Sequence, residues 1–394
     1  MRHVIVGSGV AGITAAIELA RRDAGEILVY GAEPYPYYYR PRLPYFLAGE
    51  IPQEQLYVHP ASWYEQRGIQ LFPGTAVARL EPDQKRIVLA DGRSVPYDRL
   101  LLATGGLSFI PPFEGIGQRG VFSLRTLDDA LAIREYAGRC QQAVVIGGGL
   151  LGLEAARALG RLGLDVTVLE HAPYLLPRQL DAQGAALLQG MIEAMGLHVA
   201  VRADTQSIPG NGEARGVLLK DGRQFPAQLV LIATGVRSNI QLAAAAGLAV
   251  DRGVVVDASM ATSAPDIYAA GDVASFQGRS WGIIPVALAQ AAVAAANMAG
   301  TPERYQEVTP TNTLKIAGID LLSVGTVQPE GKGFHELRAS SPAGRRYVKL
   351  VLERDRLVGA IVIGDRALGR KLEPLVIERA RMSLKEAEAL LAGL

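Results

Sequence analysis

The nine residues VIVGSGVAG, at positions 4–12, decide the fold of this chain. An apolar run with strand character ends at a turn with glycine at positions 7, 9 and 12. A helical run then extends from Ile13 to about Arg22, and residues 27–30 form a second apolar run. Strand, glycine turn, helix and strand in this order predict a βαβ unit.

The same pattern occurs a second time. Residues 143–152 read AVVIGGGLLG, a helical run follows to about Leu162, and the strand-like residues 166–169 end at Glu170. Later strands also match, because residues 100–105 (LLLATG) recur as LVLIATG at residues 229–235. The repeat predicts two similar nucleotide-binding domains.

The three glycines of each turn serve separate purposes. The first permits a tight turn, the second lets the backbone approach a pyrophosphate, and the third lets the helix pack closely on the strand. The helix N-terminus then offers free N–H groups and a favourable dipole to phosphate oxygens. The glycines are Gly7, Gly9 and Gly12 in the first turn and Gly147, Gly149 and Gly152 in the second.

An acidic residue follows the second strand of each unit. A carboxylate there can accept hydrogen bonds from the ribose hydroxyls of an adenosine. Glu170 lies directly at the strand end, no arginine follows it, and its charge would repel a 2′-phosphate, so the sequence favours NADH over NADPH. Glu33 lies slightly beyond its strand, and a solvated loop glutamate is the alternative interpretation.

The amino-acid composition excludes several kinds of redox and metal site. Cys140 is the only cysteine among 394 residues, which excludes an internal disulfide, a Cys-x-x-Cys pair, a four-cysteine zinc site and an iron–sulfur cluster. Redox chemistry would therefore need a bound organic cofactor.

The net charge of +1 gives no support for binding of nucleic acid or an anionic membrane. The five histidines show no metal-ligand spacing, and no targeting or membrane-spanning segment is recognised, so a cytoplasmic protein is expected.

The two glycine turns and the two Ala-Thr-Gly strands are followed by residues 267–273, IYAAGDV. In this combination and order, the chain resembles the FAD-dependent pyridine-nucleotide oxidoreductases, which are flavoproteins with two dinucleotide-binding domains. The resemblance implies an α/β fold, glutathione-reductase-like, with two Rossmann-like domains and a C-terminal α+β domain. It assigns residues 1–112 and 238–300 to the FAD domain, 113–237 to the NAD domain and 301–394 to the C-terminal domain.

The resemblance also assigns residues to cofactors. It places FAD on Gly7, Gly9, Gly12, Glu33, Arg40, Thr104, Gly105, Asp272 and Val286. It places NADH on Gly147, Gly149, Gly152, Glu170 and Gly235. Glu154 matches a glutamate that orients the nicotinamide. Tyr45 occupies the position of a lysine that pairs with this glutamate in ferredoxin reductases, and Arg42 or Tyr45 could hydrogen-bond Glu154 instead.

Residues 34–45, PYPYYYRPRLPY, indicate the branch of the family. The redox cysteine of the coenzyme A disulfide reductase group would fall at Pro41. The pattern instead resembles rubredoxin and ferredoxin reductases, which pass electrons from NADH through FAD to a small iron protein. The tyrosines at 35–39 and Tyr45 stack beside the flavin or form a surface loop, and the sequence leaves both open.

The C-terminal region has its own charge. Residues 331–394 contain 13 Lys/Arg and 8 Asp/Glu, so the region carries +5 and is a candidate docking surface for an acidic iron protein. Three alternatives to an iron-protein reductase remain open. They are an NADH oxidase, the electron-input subunit of a nitrite reductase, and an NADH-sensing interaction module resembling apoptosis-inducing factor. The sequence leaves the choice between monomer and homodimer open.

Overall fold

A computed structural model describes residues 1–307, 311–316, 318–341 and 344–392, with the side chains of 311–316 excepted. Its contacts divide the chain into two compact units. Unit 1 comprises Met1–Arg42, Ile51–Phe109 and Val236–Val308. Unit 2 comprises Leu43–Glu50, Ile110–Gly235 and Thr309–Leu394.

Strands and helices alternate along most of the chain. The strands are β1 (Arg2–Val6), β2 (Glu26–Tyr30), β3 (Ile69–Phe72), β4 (Val77–Glu81), β5 (Arg86–Leu89), β6 (Ser94–Pro96), β7 (Arg99–Leu102), β8 (Gly106–Ser108), β9 (Val121–Ser123), β10 (Gln142–Ile146), β11 (Asp165–Glu170), β12 (His198–Val201), β13 (Thr205–Ser207), β14 (Gly216–Leu219), β15 (Gln224–Pro226), β16 (Leu229–Ile232), β17 (Val236–Ser238), β18 (Val254–Val256), β19 (Ile267–Ala269), β20 (Ala274–Phe276), β21 (Thr311–Ile316), β22 (Ile319–Gly325), β23 (Phe334–Ser340), β24 (Tyr347–Glu353) and β25 (Arg356–Ile363). The α-helices are α1 (Val10–Arg21), α2 (Leu43–Leu47), α3 (Ala61–Glu65), α4 (Leu127–Ala137), α5 (Leu150–Arg161), α6 (Ala182–Glu193), α7 (Gln241–Ala245), α8 (Ile284–Met298), α9 (Arg366–Ile377) and α10 (Leu384–Leu391).

Unit 1 is built on a parallel sheet with strand order β19-β7-β1-β2-β3. Residues 3–6 of the central strand β1 are buried, and Val6 keeps only 6% of its surface exposed. Such burial is expected for a parallel strand that is covered on both faces. Helices α1 and α8 pack against each other, and the small side chains of both helices permit a close approach. The apolar, alanine-rich segment of residues 286–298 lies within α8 and is largely buried.

Unit 2 contains a second parallel sheet with strand order β12-β11-β10-β16-β9. Strand β10 lies between β11 and β16, just as β1 lies between β2 and β7 in the first unit. The predicted pair of doubly wound α/β sheets is confirmed. The glycine turns follow the central strand of each sheet, so each turn lies at the carboxyl edge where ligands bind in open α/β folds.

The C-terminal region of unit 2 forms an antiparallel sheet with strand order β21-β22-β25-β24-β23. The apolar runs at residues 321–324, 347–352 and 357–363 lie in β22, β24 and β25 respectively. Helix α9 packs on β22 and β25, and its N-terminus is capped by Asp365, which accepts a hydrogen bond from the Leu368 N–H at 2.9 Å. Helix α10 begins with a capping box formed by Ser383 and Glu386.

A buried polar network joins this antiparallel sheet to α6. Asp181, the N-cap of α6, accepts hydrogen bonds from Tyr347 Oη at 2.8 Å and from Arg338 Nε at 2.9 Å. Lys349 Nζ lies 2.6 Å from Glu336 Oε2 and 3.5 Å from Asp181 Oδ2. Only 1% of Lys349 is exposed, so its charge is balanced inside the protein.

Two short segments lie elsewhere than the predicted three-domain division suggests. Leu43–Glu50 belongs to unit 2, although the sequence places it in the FAD domain. Residues 301–307 belong to unit 1, where the Tyr305 N–H donates to the Ala258 carbonyl at 2.7 Å. The three domain boundaries stay a prediction. Within the described part of the chain, no helix has the length and apolar character needed to cross a membrane.

Candidate functional site

The first glycine turn requires glycine at two positions. Gly7 has a φ of +116°, and its N–H donates to the Tyr30 carbonyl at 2.8 Å. A Cβ on Gly12 would overlap the carbonyl oxygen of Gly7. Because Ile13 makes the first intrahelical bond, to the Gly9 carbonyl at 2.9 Å, the N–H groups of residues 10–12 remain available to a ligand.

Arg40 lies beside this turn. A Cβ on Gly9 would lie 3.3 Å from Arg40 Nη1, so the guanidinium reaches the backbone that faces the predicted pyrophosphate. Arg40 Nε is buried, and no hydrogen-bond acceptor meets it among the residues that the structure describes. A cation with a spare donor beside free helix N–H groups fits an anionic group such as the pyrophosphate of FAD.

Glu33 is held by two neighbours in the same cleft. Its carboxylate accepts a hydrogen bond from Tyr38 Oη at 2.5 Å and another from Arg40 Nη2 at 2.5 Å. Ser8, Gly9 and most residues of the loop from Tyr35 to Arg40 also line this cleft, which opens to solvent. Each carboxylate oxygen has a second lone pair, so Glu33 can still accept ribose hydroxyls.

The remaining predicted FAD residues lie in unit 1. Thr104 Oγ1 donates to the Asn239 carbonyl at 2.9 Å, and Gly105 has a φ of +67°. Asp272 lies in a short 3₁₀ helix (Gly271–Val273), and its carbonyl accepts from Ser238 Oγ at 2.6 Å. The side chain of Val286 is buried in the core, so its backbone N–H in the first turn of α8 is the group available to a ligand.

The buried side chain of Gln290 connects two of these elements. Gln290 lies in α8, and its Oε1 accepts the Gly271 N–H at 2.9 Å. This bond holds the start of the 3₁₀ helix against α8, and Asp272 is the next residue. The backbone that presents Asp272 is therefore fixed from within the core.

The second glycine turn repeats the first geometry and adds a carboxylate. Gly147 has a φ of +119°, and a Cβ on Gly152 would overlap the Gly147 carbonyl oxygen. Glu170 Oε2 accepts the Gly148 N–H at 2.7 Å, and Oε1 accepts the Ala172 N–H at 2.7 Å. The predicted ribose-binding acid is thus anchored to the turn itself.

Gly149 and Gly235 have open space around them. A Cβ on either residue would meet no atom within 4 Å. Gly149 is the N-cap of α5, with a φ of −80° that any residue can adopt. Glycine at this position is therefore not required by the packing of the protein, and close approach of the pyrophosphate stays the predicted reason for it.

A second cluster lies where α2 packs on α5. Arg157 forms an ion pair with Glu50, and its guanidinium lies 5.7 Å from the centre of the Tyr45 ring. Glu154 is one turn before Arg157 on α5. Burial, followed by the charge of Glu154, raises the pKa of the Tyr45 hydroxyl. Tyr45 therefore stays protonated near the Glu154 carboxylate and keeps a proton to donate.

Arg42 and the other tyrosines lie in unit 1. Arg42 Nη1 donates to the Gln55 carbonyl at 2.8 Å. The partner of Glu154 stays a prediction for both Arg42 and Tyr45. Tyr35 and Tyr38 line the cleft of Glu33, with their rings edge-on at 6.4 Å. Tyr45 belongs to unit 2.

Two residues of these clusters, Arg157 and Glu50, escaped the sequence analysis. The spacing of Arg157 from Glu154, three residues along one helix, could have indicated that they share a face. Glu50 carried no such signal, because 107 residues separate it from Arg157. Tyr38 was included among the tyrosines at 35–39, but the sequence did not pair it with Glu33.

Comparison with protein families gives two matches. Residues 1–296 match the family described as pyridine nucleotide-disulphide oxidoreductase. Residues 310–380 match the C-terminal domain of rubredoxin NAD⁺ reductase. These matches confirm the predicted resemblance.

Individual relatives agree with these matches. The chain is 38% identical to an assimilatory nitrate reductase electron transfer subunit from Bacillus subtilis, over 96% of this chain and 49% of that protein. It is 31% identical to NADH-rubredoxin oxidoreductase from Clostridium acetobutylicum, over 95% of this chain and 93% of that protein. The chain spans about half the length of the Bacillus subtilis relatives that it matches.

A solved structure shows the same fold. In a covalent putidaredoxin reductase–putidaredoxin complex, the matched chain superposes with a TM-score of 0.87 at 30% identity. The match covers 100% of this chain and 99% of the other.

Proposed function

The chain belongs to the pyridine nucleotide-disulphide oxidoreductase family of FAD-dependent NAD(P)H oxidoreductases, and on this premise we propose that it transfers electrons from NADH through FAD to a small iron protein such as rubredoxin or ferredoxin. When bound, FAD accepts a hydride from NADH and releases the electrons one at a time. One-electron release suits an iron-protein acceptor.

The position of the single cysteine carries this proposal. Cys140 lies in unit 2 just before β10, at the opposite end of that strand from Gly147. Its thiol donates to the Tyr136 carbonyl at 3.3 Å, and burial raises its pKa, which disfavours the reactive thiolate. Pro41 stands at the position of the redox cysteine of the disulfide reductases. No thiol is therefore placed to relay electrons, which leave directly from the flavin.

The protein's own residues act by binding and orientation. Arg40 and the first turn of α1 would hold the FAD pyrophosphate, and Glu33 would hold the adenosine ribose. The first turn of α8 would place its dipole toward the flavin and favour negative charge there. We expect Glu154 to orient the nicotinamide, and its charge acts on the Tyr45 hydroxyl, which keeps its proton. This role of Glu154 needs no proton transfer by the protein.

We expect Glu170→Ala to weaken discrimination between NADH and NADPH by about tenfold, or 1.4 kcal/mol. The substitution removes the charge that repels a 2′-phosphate, and it also releases the Gly148 and Ala172 N–H groups, so NADH affinity falls as well. Glu170→Gln is the matched variant, because it removes the charge with little change of shape. Dissociation constants from nucleotide fluorescence test this, and equal affinities in the unchanged protein would contradict the assignment.

Asp272→Ala is expected to yield protein depleted of flavin. The backbone at Asp272 is held by Ser238 and Gln290, so the substitution removes the carboxylate that is predicted to bind the ribityl chain without disturbing the segment. The ratio of absorbance at the flavin band to that of the protein measures the loss. Asp83→Ala, in an exposed turn, is the control, and full flavin content in both variants would remove Asp272 from the site.

An anaerobic NADH titration followed by a panel of acceptors tests the proposed function. Rapid turnover with rubredoxin or ferredoxin supports it. Oxygen consumption at a matching rate would instead indicate an oxidase. A long-lived complex with NADH, a change of oligomeric state and little turnover would indicate a sensing module resembling apoptosis-inducing factor.

The nitrate reductase relative favours a second candidate. Since this chain matches about half of an electron transfer subunit, it would supply electrons to the catalytic polypeptide of a nitrate or nitrite reductase. NADH-dependent reduction of nitrate or nitrite on adding such a polypeptide, without turnover of rubredoxin or ferredoxin, would favour this candidate.

A further inference from the structure

The loop between β11 and α6, residues 171–181, lies against the second glycine turn and is called the support loop below. The Leu176 N–H donates to the Gly148 carbonyl at 3.2 Å, and a Cβ on Gly148 would lie 2.5 Å from Leu175 Cδ2. The Gly148 N–H donates to Glu170 at 2.7 Å. The middle residue of the turn is therefore held at both its N–H and its carbonyl, and the support loop holds the carbonyl.

The support loop has a strained conformation at this contact. Leu176 has a φ of +52°, in the left-handed region that bulky side chains rarely adopt. Its side chain is fully buried, and the Gln179 and Leu180 N–H groups both donate to its carbonyl at 2.9 Å. Such a conformation persists only where the surrounding structure fixes it, so the residues that follow Leu176 need partners of their own.

The C-terminal antiparallel sheet supplies these partners. Gln328 Nε2 donates to the Pro177 carbonyl at 2.8 Å and to the Leu180 carbonyl at 2.6 Å. Ser323 Oγ, on β22, donates to the Gln179 carbonyl at 2.8 Å. Each of these two side chains lies at least 144 residues beyond the carbonyl that it meets, yet turn, loop and sheet all belong to unit 2.

The attachment of the sheet does not depend on Gln328. The sheet has its own hydrophobic core, and it is joined to α6 by the network of Asp181, Tyr347 and Lys349. Gln328 lies on the surface, outside this core and outside this network. Its two hydrogen bonds therefore act on the shape of the support loop more than on the stability of the sheet.

We propose that Gln328 and Ser323 are positioning residues for NADH, an inference that rests on the assignment of NADH to this turn in the proposed function. Through the support loop they hold the Gly148 backbone, which keeps the N–H groups of the turn directed toward the pyrophosphate and Glu170 directed toward the ribose. Neither side chain touches the nucleotide. Without their hydrogen bonds the strained loop relaxes, the site is no longer preorganised, and affinity falls.

Calorimetric titration with NADH and with ADP-ribose, which lacks the nicotinamide, tests this role. Gln328→Leu removes both donated hydrogen bonds with no change of charge and is expected to weaken binding of both ligands about threefold. Adding Ser323→Ala should increase the loss to about tenfold. The rate of flavin reduction at saturating NADH should stay unchanged, because the support loop acts on the pyrophosphate and ribose contacts.

Hydrogen exchange of the nucleotide-free protein gives a readout that does not depend on binding. In Gln328→Leu, the Leu176 N–H should exchange several times faster than in the unchanged protein, because its bond to the Gly148 carbonyl opens more often. Equal exchange rates in the two proteins would contradict the link between the sheet and the turn.

Gln183→Leu is the matched control. Gln183 is an exposed residue of α6 whose Nε2 lies 3.5 Å from Ser340 Oγ, so the substitution removes a contact with the same sheet that does not involve the support loop. It should leave both dissociation constants within about twofold of the unchanged protein. Equal losses in Gln183→Leu and Gln328→Leu, or unchanged affinity in the double variant, would overturn the positioning role. An unchanged protein that keeps FAD but binds neither ligand would instead refute the assignment of NADH to this turn.

Discussion

Gly152→Ala is expected to abolish NADH binding and turnover while the protein keeps its FAD. A Cβ at this position would overlap the carbonyl oxygen of Gly147, so α5 and the turn must separate. That movement displaces the N–H groups that face the pyrophosphate and also the Gly148 N–H that holds Glu170. The FAD turn belongs to unit 1 and is unaffected. Nucleotide fluorescence titration and the flavin absorbance of the purified variant measure the two outcomes.

Two further alanine variants separate a packing defect within the protein from a clash with the bound nucleotide. Gly190→Ala lies in α6 with open space around it and should leave NADH binding unchanged. Gly149→Ala also meets no protein atom, so the variant should fold normally and still bind NADH at least tenfold more weakly, because its Cβ occupies space that the pyrophosphate needs. If Gly149→Ala bound NADH normally, the pyrophosphate would not lie on this turn.

Lys349→Ala is expected to destabilise unit 2 by about 1.5–3 kcal/mol, the range for a hydrogen bond to a charged group. The lysine is almost fully buried, and its removal takes away the cation between the Glu336 and Asp181 carboxylates, which keep their ion pairs with Arg338. The midpoints of thermal and denaturant unfolding measure the effect. Lys385→Ala, an exposed lysine on α10, is the control and should change stability by less than about 0.5 kcal/mol. A Lys349 variant as stable as this control would contradict the role of the network.

The destabilisation should depend on pH. The hydrogen bond from Lys349 is the main reason that the pKa of Glu336 lies below its usual value. A depressed carboxyl pKa contributes stability above the unfolded pKa, about 4.3 for glutamate, and this contribution is lost as pH falls through the folded value. The alanine variant lacks most of this contribution already. The difference in stability between the two proteins should therefore narrow below about pH 4.

The repeated βαβ units and the edge that carries the site were predictable from the sequence. The spacing of glycines after an apolar run determines the local backbone, because Gly7 and Gly147 need positive φ and Gly12 and Gly152 have no room for a Cβ. Glu170 was found because it directly ends a strand. These features depend on residues that are close together in the chain, where local propensity and steric exclusion decide the conformation.

Pairings between distant residues were decided by the tertiary structure. The sequence could not assign Leu43–Glu50 to the second unit, where Glu50 pairs with Arg157 and the Tyr45 ring lies near the Arg157 guanidinium. It also did not reveal that Lys349 is buried beside Glu336.

The sequence by itself determined that this protein has two dinucleotide-binding turns and no cysteine near the first of them. Only the tertiary structure decided which side chains support those turns. The physical reason is that backbone conformation at a turn follows from neighbouring residues, whereas an ion pair depends on how separate elements pack.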